Sequence, residues 1–219
     1  MQPPADTLSP ATGAPVMLRI DALTFGFGSA GLFDGLSAQI GPGVTLVRGG
    51  DGRGKTTLLR LLAGVLTPRS GDLVLGPIRA SIQPAAWQQR VFWADPHVND
   101  RDQIVVQHWF DSLAGHWPKL DQPLLKDLID ALRLTEHLSK PVYMLSTGSR
   151  RKVWLAGAFA SGADVTLIDE PFAALDRPAI RLVGELLEDA AAHPRRAWVV
   201  ADAVAPPDLS LAGLIDLGD

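Results

Sequence analysis

The chain has 219 residues, 47% of them hydrophobic, and a formal net charge of −4 at pH 7. This length and apolar fraction suit one α/β unit with an inserted subdomain. The mixed, slightly acidic charge argues against a nucleic-acid-binding protein, and the lack of cysteine excludes disulfides, thiolate metal sites and thiol catalysis. The longest uncharged run contains glycine and proline and is shorter than the roughly 18 apolar residues of a transmembrane helix.

The N-terminal part of the chain changes from a polar tail to strand-like patterns. Residues 1–15 are rich in Pro, Ala, Thr and Ser, which predicts a disordered tail, and they lack the basic start and apolar run of a signal peptide. Partial alternation of apolar and polar residues over 17–25 predicts a first strand, and residues 36–40 predict a second. After a Gly-Pro-Gly turn, the apolar residues 44–48 predict a buried strand.

Residues 49–56, with the sequence GGDGRGKT, fit the pattern G-x-x-x-x-G-K-[ST] of a phosphate-binding loop. A predicted strand precedes them and a predicted helix, residues 57–63, follows, which is the context that the motif requires. Backbone amides can turn towards phosphate oxygens here, next to the positive end of the helix dipole. Lys55 is expected to reach the β- and γ-phosphates, and the Thr56 hydroxyl is expected to hold Mg²⁺. The predicted nucleotide-binding residues of the loop are Gly49, Gly50, Asp51, Gly52, Arg53, Gly54, Lys55, Thr56 and Thr57.

The middle of the chain contains a helical insertion. Residues 72–75 and 91–93 predict short strands, whereas the pattern over about 101–139 is helical, with one candidate helix at 104–113. Another helix is predicted to begin at 145–148, with Ser146 as its N-cap, and to run to about residue 160. The helical subdomain is therefore expected over approximately 101–160. The apolar face of its middle helix consists of Leu124, Leu125, Leu128, Ile129 and Leu132.

Residues 164–171 predict a buried strand that ends in two carboxylates, Asp169 and Glu170. An Asp delivered beside a phosphate-binding loop is expected on the Mg²⁺ side of the site, and a Glu directly after it can polarise an attacking water. The alternative is a solvated strand end with two ordinary acids. A helix over 180–190 and later strands complete an alternation that predicts an α/β fold with a mainly parallel sheet flanked by helices.

Four pieces of sequence carry a resemblance to the ATP-binding subunits of ABC transporters, which covers residues 17–217. They are GGDGRGKTT at 49–57, LSTGSRRK at 145–152, LIDEP at 167–171 and AALD at 173–176. The second piece is similar to the family's signature LSGGQ, which is followed by basic residues. The short length and the pairing of LSTGSRRKVWLA with LIDEPFAALD most resemble the ATPases of cytochrome-c-biogenesis haem exporters.

The resemblance implies a phosphate-loop NTPase domain over residues 16–219, with an antiparallel strand element beside the parallel sheet. It implies that Mg-ATP is hydrolysed with Lys55 and Glu170 as catalytic residues, and that two subunits dimerise around two nucleotides. Phe27 aligns with the aromatic residue that stacks on adenine, although a lone Phe is usually a core residue. The other implied roles are Mg²⁺ binding by Thr56 and Asp169, contact with the partner's ATP by Ser146, Thr147 and Gly148, and a dimer contact at Asp176.

Within the signature, Thr147 replaces the first glycine and Ser149 replaces the Gln, but two other departures from the family pattern matter more. The family's Gln after the strand near residue 93 is missing from residues 94–97, where Asp95 stands, and Asp202 replaces the His that holds the γ-phosphate. A carboxylate close to a polyanion is repelled unless Mg²⁺, a Lys or a proton intervenes. We therefore expect ATP binding with slow hydrolysis.

The partners follow from the same resemblance. It implies a second ATP-binding subunit, in a homo- or heterodimer, and an integral-membrane permease that docks on residues 94–97 and 101–139, so the chain is expected in the cytoplasm at the inner face of the membrane. No nucleic acid is expected, because Arg150-Arg151-Lys152 is interpreted as a solvated helix face. The alternative function is a nucleotide-gated regulatory or assembly module with negligible turnover, such as the degenerate half of a heterodimer. A kinase or GTPase is disfavoured, since the guanine-reading N-K-x-D is absent.

Overall fold

The computed structural model describes residues 7–8, 17–93, 101–206 and 209–218, with only the backbone described for residues 7–8. Asp95, with the rest of residues 94–97, lies outside these ranges, as does most of the tail expected over residues 1–15.

Strands and helices are interspersed along the described part of the chain. The strands are β1 (Thr7–Leu8), β2 (Leu18–Phe27), β3 (Ala30–Ile40), β4 (Gly43–Arg48), β5 (Ser70–Leu75), β6 (Ile78–Arg79), β7 (Val91–Trp93), β8 (Val165–Asp169), β9 (Ala197–Asp202) and β10 (Leu211–Asp216). The α-helices are α1 (Lys55–Leu62), α2 (Pro84–Gln88), α3 (Val106–His116), α4 (Gln122–Ala131), α5 (Thr147–Ala160) and α6 (Arg177–Ala191). Short 3-10 turns cover Thr135–His137 and Val142–Met144.

The larger sheet has the order β1-β10-β4-β9-β8-β7, in which all neighbours are parallel except the antiparallel pair β1 and β10. The strand that leads into the phosphate loop, β4, therefore lies inside the sheet, and β8, which ends in Asp169, lies two positions away. Strands β4, β8 and β9 are buried along almost their whole length, as expected for parallel strands covered on both faces. The predicted mainly parallel sheet is confirmed.

The parallel sheet separates two hydrophobic cores. Side chains alternate between the two faces along each strand, so Trp198 and Val200 of β9 join the core formed with α3 to α6. Val199, between them, joins the core formed with α1 and the smaller sheet. Each face of the sheet is thus sealed by its own layer, which holds the carboxyl ends of the strands in fixed positions.

The smaller sheet has the order β3-β2-β5-β6, and every neighbouring pair in it is antiparallel. It matches the antiparallel element that the resemblance implies. The second strand, expected at 36–40, begins earlier, at Ala30, because a tight turn containing the left-handed Gly28 (φ 55°) joins β2 directly to β3.

Aromatic packing holds the helical region together. Trp109 of α3 packs edge-on against Trp154 of α5, with ring centroids 4.6 Å apart. Gly157 makes this approach feasible, since a Cβ there would lie 2.4 Å from the Trp109 ring. The helices expected at 104–113 and around Leu128 are present as α3 and α4. None of the described helices has the length and apolarity needed to span a bilayer.

Three short elements were not predicted: β1, β6 and α2. The two strands have two residues each and α2 has five, so none is long enough to produce a period in the sequence. β1 lies in the expected tail and pairs with Leu214 and Ile215 of β10.

Candidate active site

The phosphate loop joins the end of β4 to the start of α1 and depends on its glycines. Gly52 and Gly54 have left-handed backbones, with φ of 76° and 95°. A Cβ on Gly54 would lie 2.9 Å from Leu32 and 3.0 Å from Phe33 of β3. Because a side chain at this position would meet both strain and a clash, the close approach of β3 to the loop requires glycine.

Lys55 is buried and folds back over the loop. Its ammonium donates hydrogen bonds to the carbonyl oxygens of Gly49, at 2.8 Å, and Gly50, at 3.0 Å. An ammonium carries three donors, so a further N–H can reach a phosphate oxygen from this position. The loop thus presents a fixed positive charge at the first turn of α1, where the helix dipole also favours an anion.

Thr56 and Asp169 meet although 113 positions separate them in the sequence. The Thr56 hydroxyl donates to Asp169 Oδ2 at 2.6 Å, and Asp169 is only 4% exposed. A hydroxyl beside a carboxylate is the kind of oxygen pair that Mg²⁺ takes as ligands next to phosphate oxygens. The residues present therefore fit a magnesium ion at this point.

Glu170 follows Asp169 in a left-handed backbone conformation, with φ of 46°. Its N–H donates to the carbonyl oxygen of Ala201 at 2.8 Å, and its own carbonyl accepts from Ala173 N at 3.1 Å. A non-glycine residue in this region is strained by about 1–3 kcal/mol and persists only where its surroundings fix it. The turn at Glu170 is therefore imposed by tertiary contacts.

Arg151 supplies one of those contacts, and the interpretation of residues 150–152 as a solvated helix face is wrong. Arg151 is 8% exposed, and its Nη1 donates to the carbonyl of Asp169 at 2.8 Å and to that of Glu170. Burial lowers the pKa of its guanidinium, and the negative charges of Glu170, Asp169 and Asp202 oppose that shift. The two flanking residues are also paired, Arg150 with Asp102 at 3.2 Å and Lys152 with Asp176 at 2.5 Å.

The sequence of α5 does not single out Arg151 as the buried basic residue. Counting three, four, seven and eight residues onward from Arg150, Arg151 or Lys152 reaches only apolar positions, because residues 153–160 are all apolar and buried. Which of the three basic side chains is buried therefore depends on how α5 packs against its neighbours.

The signature turn at 146–148 starts α5. Ser146 is the N-cap, as predicted, and its Oγ accepts from Ser149 N at 3.1 Å. Ser149 Oγ in turn lies 3.3 Å from His137 Nε2. Gly148 packs against the segment after Glu170, because a Cβ there would lie 2.4 Å from the carbonyl oxygen of Ala174. Ser146 and Thr147 are exposed to solvent.

Asp176 and Asp202 occupy strand and helix ends around the site. Asp176 caps α6 by accepting from Ala179 N at 2.9 Å, and its hydrogen bond with Lys152 holds the pKa of the carboxyl below its ordinary value. Asp202 ends β9, next to Arg48 in register, and its Oδ1 accepts from Ala203 N at 2.7 Å. The capping role of Asp176 was missed from the sequence.

Phe27 lies at the tip of the hairpin formed by β2 and β3. Its side chain is 59% exposed and meets Phe25 edge-on, with ring centroids 5.1 Å apart. Arg69 Nη2 donates to the carbonyl oxygens of Gly26, at 3.1 Å, and of Gly28, which fixes the hairpin on both sides of Phe27. A core position for this ring is therefore excluded.

The structure brings the predicted residues together in two groups. Thr56, Lys55 and Asp169 form one group around the phosphate loop, and the signature turn with segment 173–176 forms the other. Within residues 17–93 and 101–206, no hydrogen bond joins the loop at 49–56 to the turn at 146–148.

Comparison with known proteins places these features in one family. The sequence profile described as ABC transporter matches residues 33–173, well over half of the chain. The cytochrome c biogenesis ATP-binding export protein CcmA of Pseudomonas savastanoi pv. phaseolicola is 34% identical over 168 residues, which cover 76% of this chain and 79% of that protein. The petrobactin import ATP-binding protein FpuD of Bacillus anthracis is 31% identical, covering 73% of this chain and 62% of that protein.

Solved structures agree on the fold. An ATP-binding subunit of an ABC transporter superposes with a TM-score of 0.75 at 20% identity, covering 86% of this chain and 80% of that one. A putative ABC transporter ATP-binding protein from Pyrococcus furiosus gives 0.71 at 19% identity, covering 91% and 96%. Because the matched region includes the phosphate loop, the signature turn and the strand ending in Asp169, the chain belongs to the ABC transporter family as an ATP-binding subunit.

Proposed function

We propose that this chain binds Mg-ATP, dimerises face to face with a second ATP-binding subunit and drives an integral-membrane permease, with slow hydrolysis of ATP. The observation that carries the proposal is the contact between Thr56 and Asp169, since it joins the phosphate loop to the strand that delivers the catalytic carboxylates.

The nucleotide chemistry follows from the residues around that contact. The amides of 49–54 and the ammonium of Lys55 would bind the phosphates, and the exposed ring of Phe27 would stack on the adenine. Bound Mg²⁺, held by Thr56 and Asp169, would neutralise charge on the β- and γ-phosphate oxygens. Glu170 would accept a proton from the attacking water.

A face-to-face dimer is supported by the position of the signature turn. Ser146, Thr147 and the first amides of α5 form the exposed N-terminus of a 14-residue helix, which favours an anion. The turn packs on residues 173–176 of its own chain rather than on its own phosphate loop. A phosphate held by both elements would therefore take the turn from a second subunit.

Slow hydrolysis is supported by Asp202. Its carboxylate stands at the end of β9, beside the strand of the phosphate loop, where the family has an imidazole. A carboxylate accepts hydrogen bonds and cannot donate one to the γ-phosphate while ionised. The same observation favours the second candidate function, a nucleotide-gated module with negligible turnover, whereas the presence of Glu170 after Asp169 favours an active ATPase.

A permease partner is supported by a groove between the parallel sheet and the helical insertion. Its volume is about 560 Å³, and its walls include Phe92, Trp93, Trp109, Trp117 and Trp154. Aromatic walls of this kind can pack against a helix or loop that a membrane partner inserts into the groove. Such docking would hold the chain at the cytoplasmic face of a membrane.

Analytical ultracentrifugation and steady-state ATPase assays of the wild type and Glu170→Gln test the proposal. We expect Glu170→Gln to form a dimer with Mg-ATP that returns to monomer when EDTA removes the metal. Its turnover is expected to fall about 100-fold or more below a measurable wild-type rate, the scale of lost general-base catalysis. Wild-type turnover no higher than that of Glu170→Gln would favour the second candidate function. A failure of both proteins to dimerise with Mg-ATP would refute the face-to-face arrangement.

Coexpression with the membrane proteins that are encoded beside this chain tests whether it associates with a permease. We expect a detergent-solubilised permease to copurify with the wild type, and substitution of Trp93 by Ser to weaken that association. A chain that purifies alone under these conditions would contradict the proposed partner.

A further inference from the structure

The first two turns of α5 contact the segment 169–176 at three points. Gly148 meets the carbonyl of Ala174, Arg151 donates to the carbonyls at the end of β8, and Lys152 pairs with Asp176 at 2.5 Å. The element that begins with the signature turn and the segment that begins with the catalytic carboxylates therefore form one packed unit within the chain.

Arg151 is the central contact of the three and the most costly to maintain. Burying a guanidinium costs free energy because the charged group loses its water. Among the described residues, Arg151 donates hydrogen bonds only to backbone carbonyls. Its Nε is buried without any hydrogen-bond partner in that part of the chain. A buried polar atom of this kind calls for an explanation.

The carbonyls that Arg151 contacts are those on either side of the strained turn. Glu170 is the residue with φ of 46°, and the bonds from Arg151 reach the oxygen of Asp169 before it and its own oxygen. These carbonyls belong to the two peptide groups that flank the Glu170 Cα, so holding both of them restricts φ and ψ of Glu170. The direction in which the Glu170 side chain leaves the backbone is therefore set in part by Arg151.

We propose that Arg151 is a positioning residue for ATP hydrolysis, which fixes the turn at Glu170 and ties its orientation to the signature helix of the same chain. The inference rests on the proposed function, in which Glu170 acts as the base. A shift of α5 when the signature turn engages the partner's nucleotide would carry Arg151 with it, so that each subunit's Glu170 responds to the site across the dimer.

The test compares Arg151→Met and Arg151→Lys with Arg150→Met, a control one residue earlier on the same helix that pairs with Asp102. We expect Arg151→Met to lower kcat by between about tenfold and a hundredfold, the effect of misplacing a catalytic group, with KM for ATP changed less than about twofold. Arg151→Lys should recover part of the loss, because one ammonium can reach one carbonyl. Arg150→Met should keep kcat within about twofold of the wild type.

Adding Arg151→Met to Glu170→Gln separates positioning from a general structural effect. If Arg151 acts through Glu170, the substitution causes no further fall in the residual rate of Glu170→Gln. Equal losses in both backgrounds, or a kcat of Arg151→Met close to that of the wild type, would overturn the inference.

Two further outcomes stay distinguishable. Should Arg151→Met fail to fold, as judged by circular dichroism, Arg151→Lys carries the test, and an unchanged kcat in that variant would count against the proposal. If Glu170→Gln itself leaves turnover unchanged, the proposed function fails. If Glu170→Gln lowers turnover strongly but the Arg151 variants keep the wild-type kcat, only the positioning role is refuted.

Discussion

The phosphate loop and the signature turn are both helix N-termini, yet they are built in different ways. The contacts of the loop are made within one chain. Lys55 is buried and donates hydrogen bonds to Gly49 and Gly50, and Thr56 donates one to Asp169. The turn is exposed, and its Ser146 hydroxyl bonds only within α5 in the described part of the chain. One site is preorganised for a phosphate, and the other is presented on the surface.

The loop and the turn therefore have different requirements for binding a ligand. A preorganised loop can bind nucleotide in a single subunit, because no further ordering is needed. The exposed turn has the anion preference of a helix N-terminus, but it contacts a phosphate only when a second subunit brings its bound nucleotide. Substitutions in the loop should therefore affect ATP binding by the monomer, and substitutions at the turn should affect only the dimer.

The largest effect is expected from Lys55→Met. Removing a charge-assisted donor from the loop costs about 1.5–3 kcal/mol, which corresponds to a roughly 10- to 150-fold rise in the Kd for Mg-ATP. Isothermal titration calorimetry of the monomer measures it. Lys126→Met, at an exposed position of α4, is the matched control and should leave the Kd unchanged. Equal affinities of the two variants for Mg-ATP would contradict the role of the loop in binding ATP.

Gly148→Ala tests the other side of the comparison. The new Cβ would lie 2.4 Å from the carbonyl oxygen of Ala174, so the turn and the following segment must move apart. We expect ATP-dependent dimerisation, measured by sedimentation, to weaken about tenfold or more. The monomer should keep its affinity for ATP. In Gly184→Ala the added Cβ meets open space on a helix, and dimerisation should not change. A weaker Kd of the Gly148→Ala monomer would show that the two sites are not separate.

The parts of the site that were predictable from sequence are those whose partners carry their own chemical signal. Ser146 caps α5 through a bond to Ser149, three residues away, and such local spacing is visible in the sequence. Thr56 and Asp169 are distant, but each belongs to a motif with a known ligand preference. The glycines of the loop are similarly tied to a motif.

Arg151 was missed for a physical reason. Its partners are backbone carbonyls 18 and 19 residues away, and a carbonyl belongs to every residue, so it leaves no mark on the side-chain pattern. The pairing of Lys152 with Asp176 had an equally weak signal, since it depends on how α5 packs against α6. Tertiary contact decided these roles, whereas local spacing and motif chemistry decided the others.

Asp202→His should improve the site at the phosphate loop without changing the signature turn. The imidazole removes a negative charge next to the phosphate site and supplies a donor for the γ-phosphate, so we expect kcat to rise by about tenfold, the scale of one neutral hydrogen bond. Steady-state ATPase assays measure it. Asp202→Asn separates the two causes, because it removes the charge without adding an imidazole. If neither variant exceeds the wild-type rate, Asp202 is not what limits hydrolysis.

The smallest effect is expected at Asp176, on the side of the turn. Its pKa is held below the ordinary value of 3.8 by Lys152 first, then by the N–H of Ala179, with a contribution from Arg133. A carboxyl with a lowered pKa in the folded state stabilises the fold above its unfolded pKa, and that stability disappears as the pH falls through the folded value. Asp176→Asn should therefore lower the urea midpoint slightly at pH 7, and the difference from wild type should shrink as the pH falls below 3.8. Asp127→Asn, at an exposed position of α4, should show no such difference in urea midpoint. If the difference for Asp176→Asn stays constant with pH, the ion pair with Lys152 does not hold α6 to α5.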